Sequence, residues 1–81
     1  MNIIELYINN LRKDDIINFA NKKDIRLSNN ELDFTYDFIK KHYKEIIKDK
    51  YKYNFNDYRD KFSKENAEKI SKLINEYISY L

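Results

Sequence analysis

Leu27-Ser28-Asn29-Asn30-Glu31-Leu32 is the stretch on which the fold turns. Ser28 and Glu31 are spaced as a capping box. The serine hydroxyl accepts from an orphan amide of the first turn, and the glutamate reaches back to the cap's own N–H. Leu27 and Leu32 flank the box at the staple positions, which pins the angle at which the chain meets the helix. Downstream, Leu32, Tyr36, Ile39, Tyr43, Ile46 and Ile47 fall within an arc of roughly 100° on a helical wheel. The spacing predicts a long amphipathic helix over 28–49 with that arc facing the core.

Two shorter helices precede it. Over 2–10, Ile3, Leu6, Tyr7 and Leu11 share one broad face, with Ile4 and Ile8 at its margin. Asn9 and Asn10 suit its end, because Asn tolerates the left-handed conformation. Over 13–23, Ile16, Phe19, Ala20 and Lys23 form a stripe with Ile17 at its edge. Asp14 and Asp15 in its first turn, and Lys22 and Lys23 in its last, complement the helix dipole.

After the long helix comes an aromatic connector over 50–62, carrying Tyr51, Tyr53, Phe55, Tyr58 and Phe62. The alternation at 51, 53 and 55 predicts an extended stretch, with Asn56 or Asp57 capping one short helical turn. Ser63 then caps a last helix running to 81. Its Ala67, Ile70, Leu73, Ile74, Tyr77, Ile78 and Leu81 lie within roughly 140° of arc, opposite a charged face. Segments 28–49 and 63–81 share their capping logic but are no repeat, since Thr35 falls against Ile70 and Tyr36 against Ser71. The expectation is one all-α domain over 1–81: four main helices and one short one, packed as a compact irregular or orthogonal bundle.

Composition narrows the chemistry. Ile, Leu and Phe make up 23 of 81 residues, above the roughly 20% below which chains stay disordered. The chain has no Cys, Gly or Pro. That excludes disulfides and thiolate chemistry, and also phosphate-cradling glycine loops and nucleophile elbows. One histidine, His42, cannot build a His-based metal site, so neither a metal nor a cofactor is expected. No apolar run reaches the ~18–20 residues of a membrane span. Glu5 and Asn9 interrupt any signal-peptide pattern at the amino terminus. The expected setting is the cytoplasm, with no membrane. The Lys, Ile, Asn and Tyr bias suggests an AT-rich genome.

No enzyme is expected either. Asp33/Asp37 and Asp57/Asp60 have helical spacing, but they sit among lysines on polar faces rather than in a desolvated cleft. His42 lies between the apolar stripe and the charged face and reads as a boundary residue.

The charge asymmetry is concentrated over 40–53. There Lys40, Lys41, Lys44, Lys48, Lys50 and Lys52 stand against Glu45 and Asp49, a local charge of +4. Tyr43, Tyr51 and Tyr53 are interleaved. Lysines neutralise phosphates and aromatic rings stack on single-stranded bases, so these six lysines are the candidate nucleic-acid contacts. Against this, Arg is scarce, and Tyr43 belongs to the apolar stripe. A helix-turn-helix reading of 14–41 would place Asn29-Asn30-Glu31-Leu32-Asp33 at the head of the recognition helix, where the acids would repel the groove.

Phe34 and Phe38 point roughly 130–170° away from the centre of the stripe. Either the long helix is central and buried on two sides, or these rings form a patch for a partner, a second copy included. Phe34, Phe38, Tyr51, Tyr53 and Phe55 are therefore the candidate protein contacts. The leading functional expectation is a small non-enzymatic module that binds a partner protein in a regulatory or assembly role. The alternative is nucleic-acid binding through 40–53.

Leu11-Arg12-Lys13-Asp14-Asp15-Ile16-Ile17-Asn18-Phe19-Ala20, Ile25-Arg26-Leu27-Ser28 and Phe62-Ser63-Lys64-Glu65-Asn66-Ala67-Glu68-Lys69-Ile70 together resemble the YqfT-like family, small uncharacterised proteins of low-GC Gram-positive bacteria. The likeness spans most of the chain as a pattern of helix starts, and it implies no particular activity or site residue. The segment 11–32 also resembles a SAP-type helix–extended–helix motif, whose relatives bind DNA.

Overall fold

The computed structural model describes residues 3–78. Helix α1 spans Ile3–Asn9, α2 Lys13–Lys22 and α3 Asn29–Lys48; a 3₁₀ helix spans Phe55–Lys61, and α4 spans Lys64–Ile78. Among the described residues there is no strand, and the chain is all-α. The predicted helix start at Asn2 and the stripe's last member, Leu81, lie outside the described residues, as does the side chain of Ile78.

Each helix boundary has a local cause. At α3, Ser28 Oγ accepts from Glu31 N at 3.2 Å, and Glu31 Oε1 accepts from Ser28 N at 2.8 Å. At α2 the cap residue is Arg12, and Asp15 Oδ2 satisfies its N–H at 2.9 Å. Helix α2 ends through Asp24, which takes φ 59° so that Ile25 N can reach Ala20 O at 2.8 Å. Glycine usually fills such a left-handed position. With no Gly in the chain, a short polar residue does so instead. At the end of α1, Asn10 Nδ2 donates to Leu6 O at 2.9 Å.

The connector differs from expectation. Residues 50–53 form a turn rather than an extended stretch, held by Tyr51 N on Asp49 Oδ1 at 3.0 Å and Lys52 N on Asp49 O at 3.1 Å. The helical cap is Asn54, whose Oδ1 accepts from Asn56 N at 3.0 Å, and not Asn56 or Asp57. In both cases an Asp or Asn side chain captures an amide two residues on, which bends the chain.

Helices α1 and α2 both pack on α3, and the 3₁₀ helix packs on α3 and α4. Leu11, Ile16 and Leu32 form the buried centre, with Ile17, Leu27, Tyr36 and Ile39 packed around it. Ala20, Ile25 and Ala67 are also buried. Several expectations need correction, among them Ile47 of the long stripe and Tyr77 of the last one, both of which are exposed. Of the face predicted for the first helix, only Leu11 is buried; Ile3, Leu6 and Tyr7 are exposed. Polar anchors hold the last turn of α1 instead: Lys40 Nζ donates to Ile8 O at 2.8 Å and to Asn9 O at 3.0 Å, and Tyr43 OH donates to Asn9 Oδ1 at 3.2 Å. Phe19 is likewise exposed. Its ring lies 6.2 Å from Tyr77, with Lys23 Nζ over both rings at 5.8 and 5.6 Å.

Candidate functional site

The connector's rings close onto the outer face of α3. Phe34 lies 5.8 Å from Phe38, 5.9 Å from Tyr58 and 5.8 Å from Phe62, the last edge-on at 82°. Phe38 meets His42 at 4.8 Å, Tyr58 at 4.9 Å and Tyr53 at 5.3 Å. Phe55 packs on Phe62 at 5.6 Å. These separations are those of attractive ring pairs, worth about 0.5–1.5 kcal/mol each beyond area burial. Helix α3 is thus covered on two sides, and Phe34, Phe38, Tyr53 and Phe55 are half-buried within the chain's own ring cluster. Of the five candidate protein contacts only Tyr51 is exposed, at 71%.

A polar network edges the cluster. Tyr53 OH donates to Glu45 Oε2 and lies 3.0 Å from His42 Nδ1. A phenol has one proton, and here it goes to the carboxylate, so His42 must donate from Nδ1. His42 Nδ1 is also 3.5 Å from Glu45 Oε2, and Lys52 Nζ is 3.6 Å from it. The hydrogen bond to Glu45, followed by burial and the neighbouring charge, pushes the Tyr53 phenol up to about 12. The same bond holds the Glu45 carboxyl below its ordinary value. Both shifts move the groups away from neutrality, where a general acid or base works best. The network therefore reads as a fastening for the connector. Sequence reasoning found His42 without its partners; its i,i+3 spacing to Glu45 was the available signal.

The six candidate lysines divide. Lys40 is bound to the carbonyls that end α1. Lys50 lies over the Tyr51 ring at 5.2 Å. Lys52 joins Glu45 and covers the Tyr53 ring at 6.0 Å. Lys41, Lys44 and Lys48 are exposed along one side of α3, and among the described residues no carboxylate stands within ion-pair distance of them. Asp33, one of the acids considered above, pairs with Lys13 at 2.8 Å, and that hydrogen bond raises the Lys13 ammonium pKa. At the head of α3, Glu31 and Leu32 are buried, while Asn29, Asn30 and Asp33 are exposed.

Glu31 is the residue whose role sequence reasoning saw only in part. Besides its own cap, its Oε2 accepts from Ser63 N at 2.7 Å and its Oε1 from Asn66 Nδ2 at 2.9 Å. Asn66 Nδ2 also donates to Arg26 O at 2.9 Å, and Ser63 Oγ accepts from Asn66 N at 3.1 Å. A groove runs beside it, lined by Asp24, Arg26, Ser28, Glu31, Asn66 and Lys69 among others. Its polar groups are largely spent on each other, as with Lys69 Nζ on Asp24 O at 2.8 Å. Burial alone would push the Glu31 carboxyl up. The hydrogen bonds from Ser28, Ser63 and Asn66 outweigh it, and the net shift is downward. This is a structural knot that ties two helix starts together. Among the described residues no three His, Asp or Glu side chains converge as metal ligands would, and no helix is long and apolar enough to cross a membrane. No protein family, curated protein or solved structure matches the chain.

Proposed function

We propose that this chain is a small, non-enzymatic, cytoplasmic helical module that binds a protein partner, and that α1 makes the contact. One observation carries the reading. Ile3, Ile4, Leu6 and Tyr7 present an apolar surface to water on a helix whose last turn is held by Lys40. Apolar surface gathered in one place on a small domain is costly to hydrate and marks an interaction site. The half-buried rings at Phe34 and Phe38 are engaged with the connector, so the contact moves to α1.

The test compares the immobilised full chain with its Leu6→Ser variant, using extract from the native host. A protein held by the wild type and lost from a variant of unchanged helicity supports the reading. Equal recovery on both overturns it.

A second reading, nucleic-acid binding, is favoured by two exposed features, the row Lys41, Lys44 and Lys48 on α3 and the ring of Tyr51. Three phosphate contacts to a single strand give a log–log salt slope of about −2. Replacing all three lysines by Gln should abolish that slope. Binding that ignores salt, or survives the triple replacement, removes this reading.

A further inference from the structure

We infer that the occupant of α1's exposed face is a second copy of this chain, the two α1 helices packing across a two-fold axis. This rests on the partner-binding reading above and specifies its partner.

Three observations converge. The first is area. Ile3 is 86% exposed, Ile4 53%, Leu6 55% and Tyr7 62%. Together they offer on the order of 500 Å² of apolar surface, at the upper end of the largest patch on a typical monomer. A stable interface buries about 800 Å² per partner, and homodimer interfaces are about 65% apolar, which also asks for roughly 500 Å².

The second is charge. Within Ile3–Asn9 the one charged side chain is Glu5, which is half-buried. Helix α1 therefore has little charge to complement on an acidic or basic partner. Helix α1 itself carries no lysine, and each chain carries only +2.

The third is pattern. Ile3, Leu6 and Tyr7 stand at i, i+3 and i+4, the spacing with which side chains of one helix form ridges that fit the grooves of another. A two-fold interface needs a surface complementary to itself. An uncharged apolar seam a little over one turn long meets that requirement.

The experiment is sedimentation velocity on the purified full chain from about 1 μM to several hundred μM, with Leu6→Lys and Ile3→Lys beside it. Ile3 is so exposed that a lysine there leaves folding intact, which circular dichroism checks. The expected result is a mass that climbs from 10.0 kDa toward twice that value in the wild type and stays monomeric in both variants. A wild type that is monomeric throughout, or a dimer that persists in the variants, overturns the inference. A monomer whose recovery of another protein depends on Leu6 overturns the second copy and leaves the partner-binding reading standing. A monomer that instead sediments with phosphatidylserine vesicles in a Leu6-dependent way, or that shows no Leu6-dependent association at all, ends both.

Discussion

The Glu31 carboxylate accepts the backbone N–H of Ser63 at 2.7 Å, joining the first turn of α3 to the first turn of α4 across 32 residues of sequence. The same carboxylate closes the Ser28 cap at 2.8 Å and takes the Asn66 amide at 2.9 Å. One side chain thus satisfies orphan donors at two helix starts.

Glu31→Ala should therefore be among the most damaging single changes. It strands the amides of Ser28 and Ser63 and leaves Asn66 Nδ2 with only its bond to Arg26 O. Charge-assisted hydrogen bonds and unsatisfied buried donors of this kind put the loss at about 3 kcal/mol. That is a large share of the ~4–12 kcal/mol available to a chain of this length. Glu31→Gln keeps one acceptor oxygen and should lose about half as much. Urea unfolding of the three proteins measures both. Equal stability of wild type and Glu31→Ala would remove the knot from the account.

Stability should fall at both ends of the pH scale. Glu31 and Glu45 hold their protons less tightly when folded than unfolded. Their contribution is complete above the ordinary carboxyl value of 4.5 and disappears as pH drops through the lower folded values. Tyr53 is the reverse case, pushed up to about 12 from 10.0. Its contribution is complete below pH 10.0 and is lost as pH rises through about 12. Urea midpoints against pH should show an acid limb that flattens in Glu31→Gln and an alkaline limb that flattens in Tyr53→Phe. An alkaline limb unchanged in Tyr53→Phe would mean that another group titrates there.

Phe38 touches Phe34, His42, Tyr53 and Tyr58. Core Phe→Ala changes cost about 3–5 kcal/mol, and a half-buried ring sits lower, at about 2–3 kcal/mol. Tyr51→Ala should stay within about 0.5 kcal/mol, because that ring is exposed. Thermal melts of both variants give the comparison, and a Phe38→Ala protein as stable as Tyr51→Ala would contradict the two-sided packing of α3.

At Asp24 the backbone sits at φ 59°. Asp24→Gly and Asp24→Ala both remove the ion pair to Lys69 at 3.4 Å, so their difference isolates the backbone. A methyl group in the left-handed region costs about 1 kcal/mol relative to Gly. The Gly variant should be the more stable of the two by that amount in denaturant titration. The opposite order would show that the left-handed turn is not kept.

The capping box at Ser28 and Glu31, the long stripe from Leu32 as far as Ile46, though not its last predicted member, the exposed Ile47, and the start of α4 at Ser63 were all legible in the one-dimensional string. Caps and periodicities are settled within one or two turns of chain. Phe34 and Phe38 were legible as an anomaly with two resolutions. Only the fold chose between them, by laying Tyr58 and Phe62 over those rings. The face of α1 was drawn from the same kind of periodicity as the stripe of α3, yet α3 is covered on two sides and α1 is left open. Spacing encodes a face, while its neighbour is set by where distant segments fold back. For the same reason six lysines that look alike along the chain divide into one bound to the end of α1, two engaged beside tyrosines and three left to the solvent. Glu31 likewise announced its near partner three residues away, and only the path of the chain brought it the amide of Ser63.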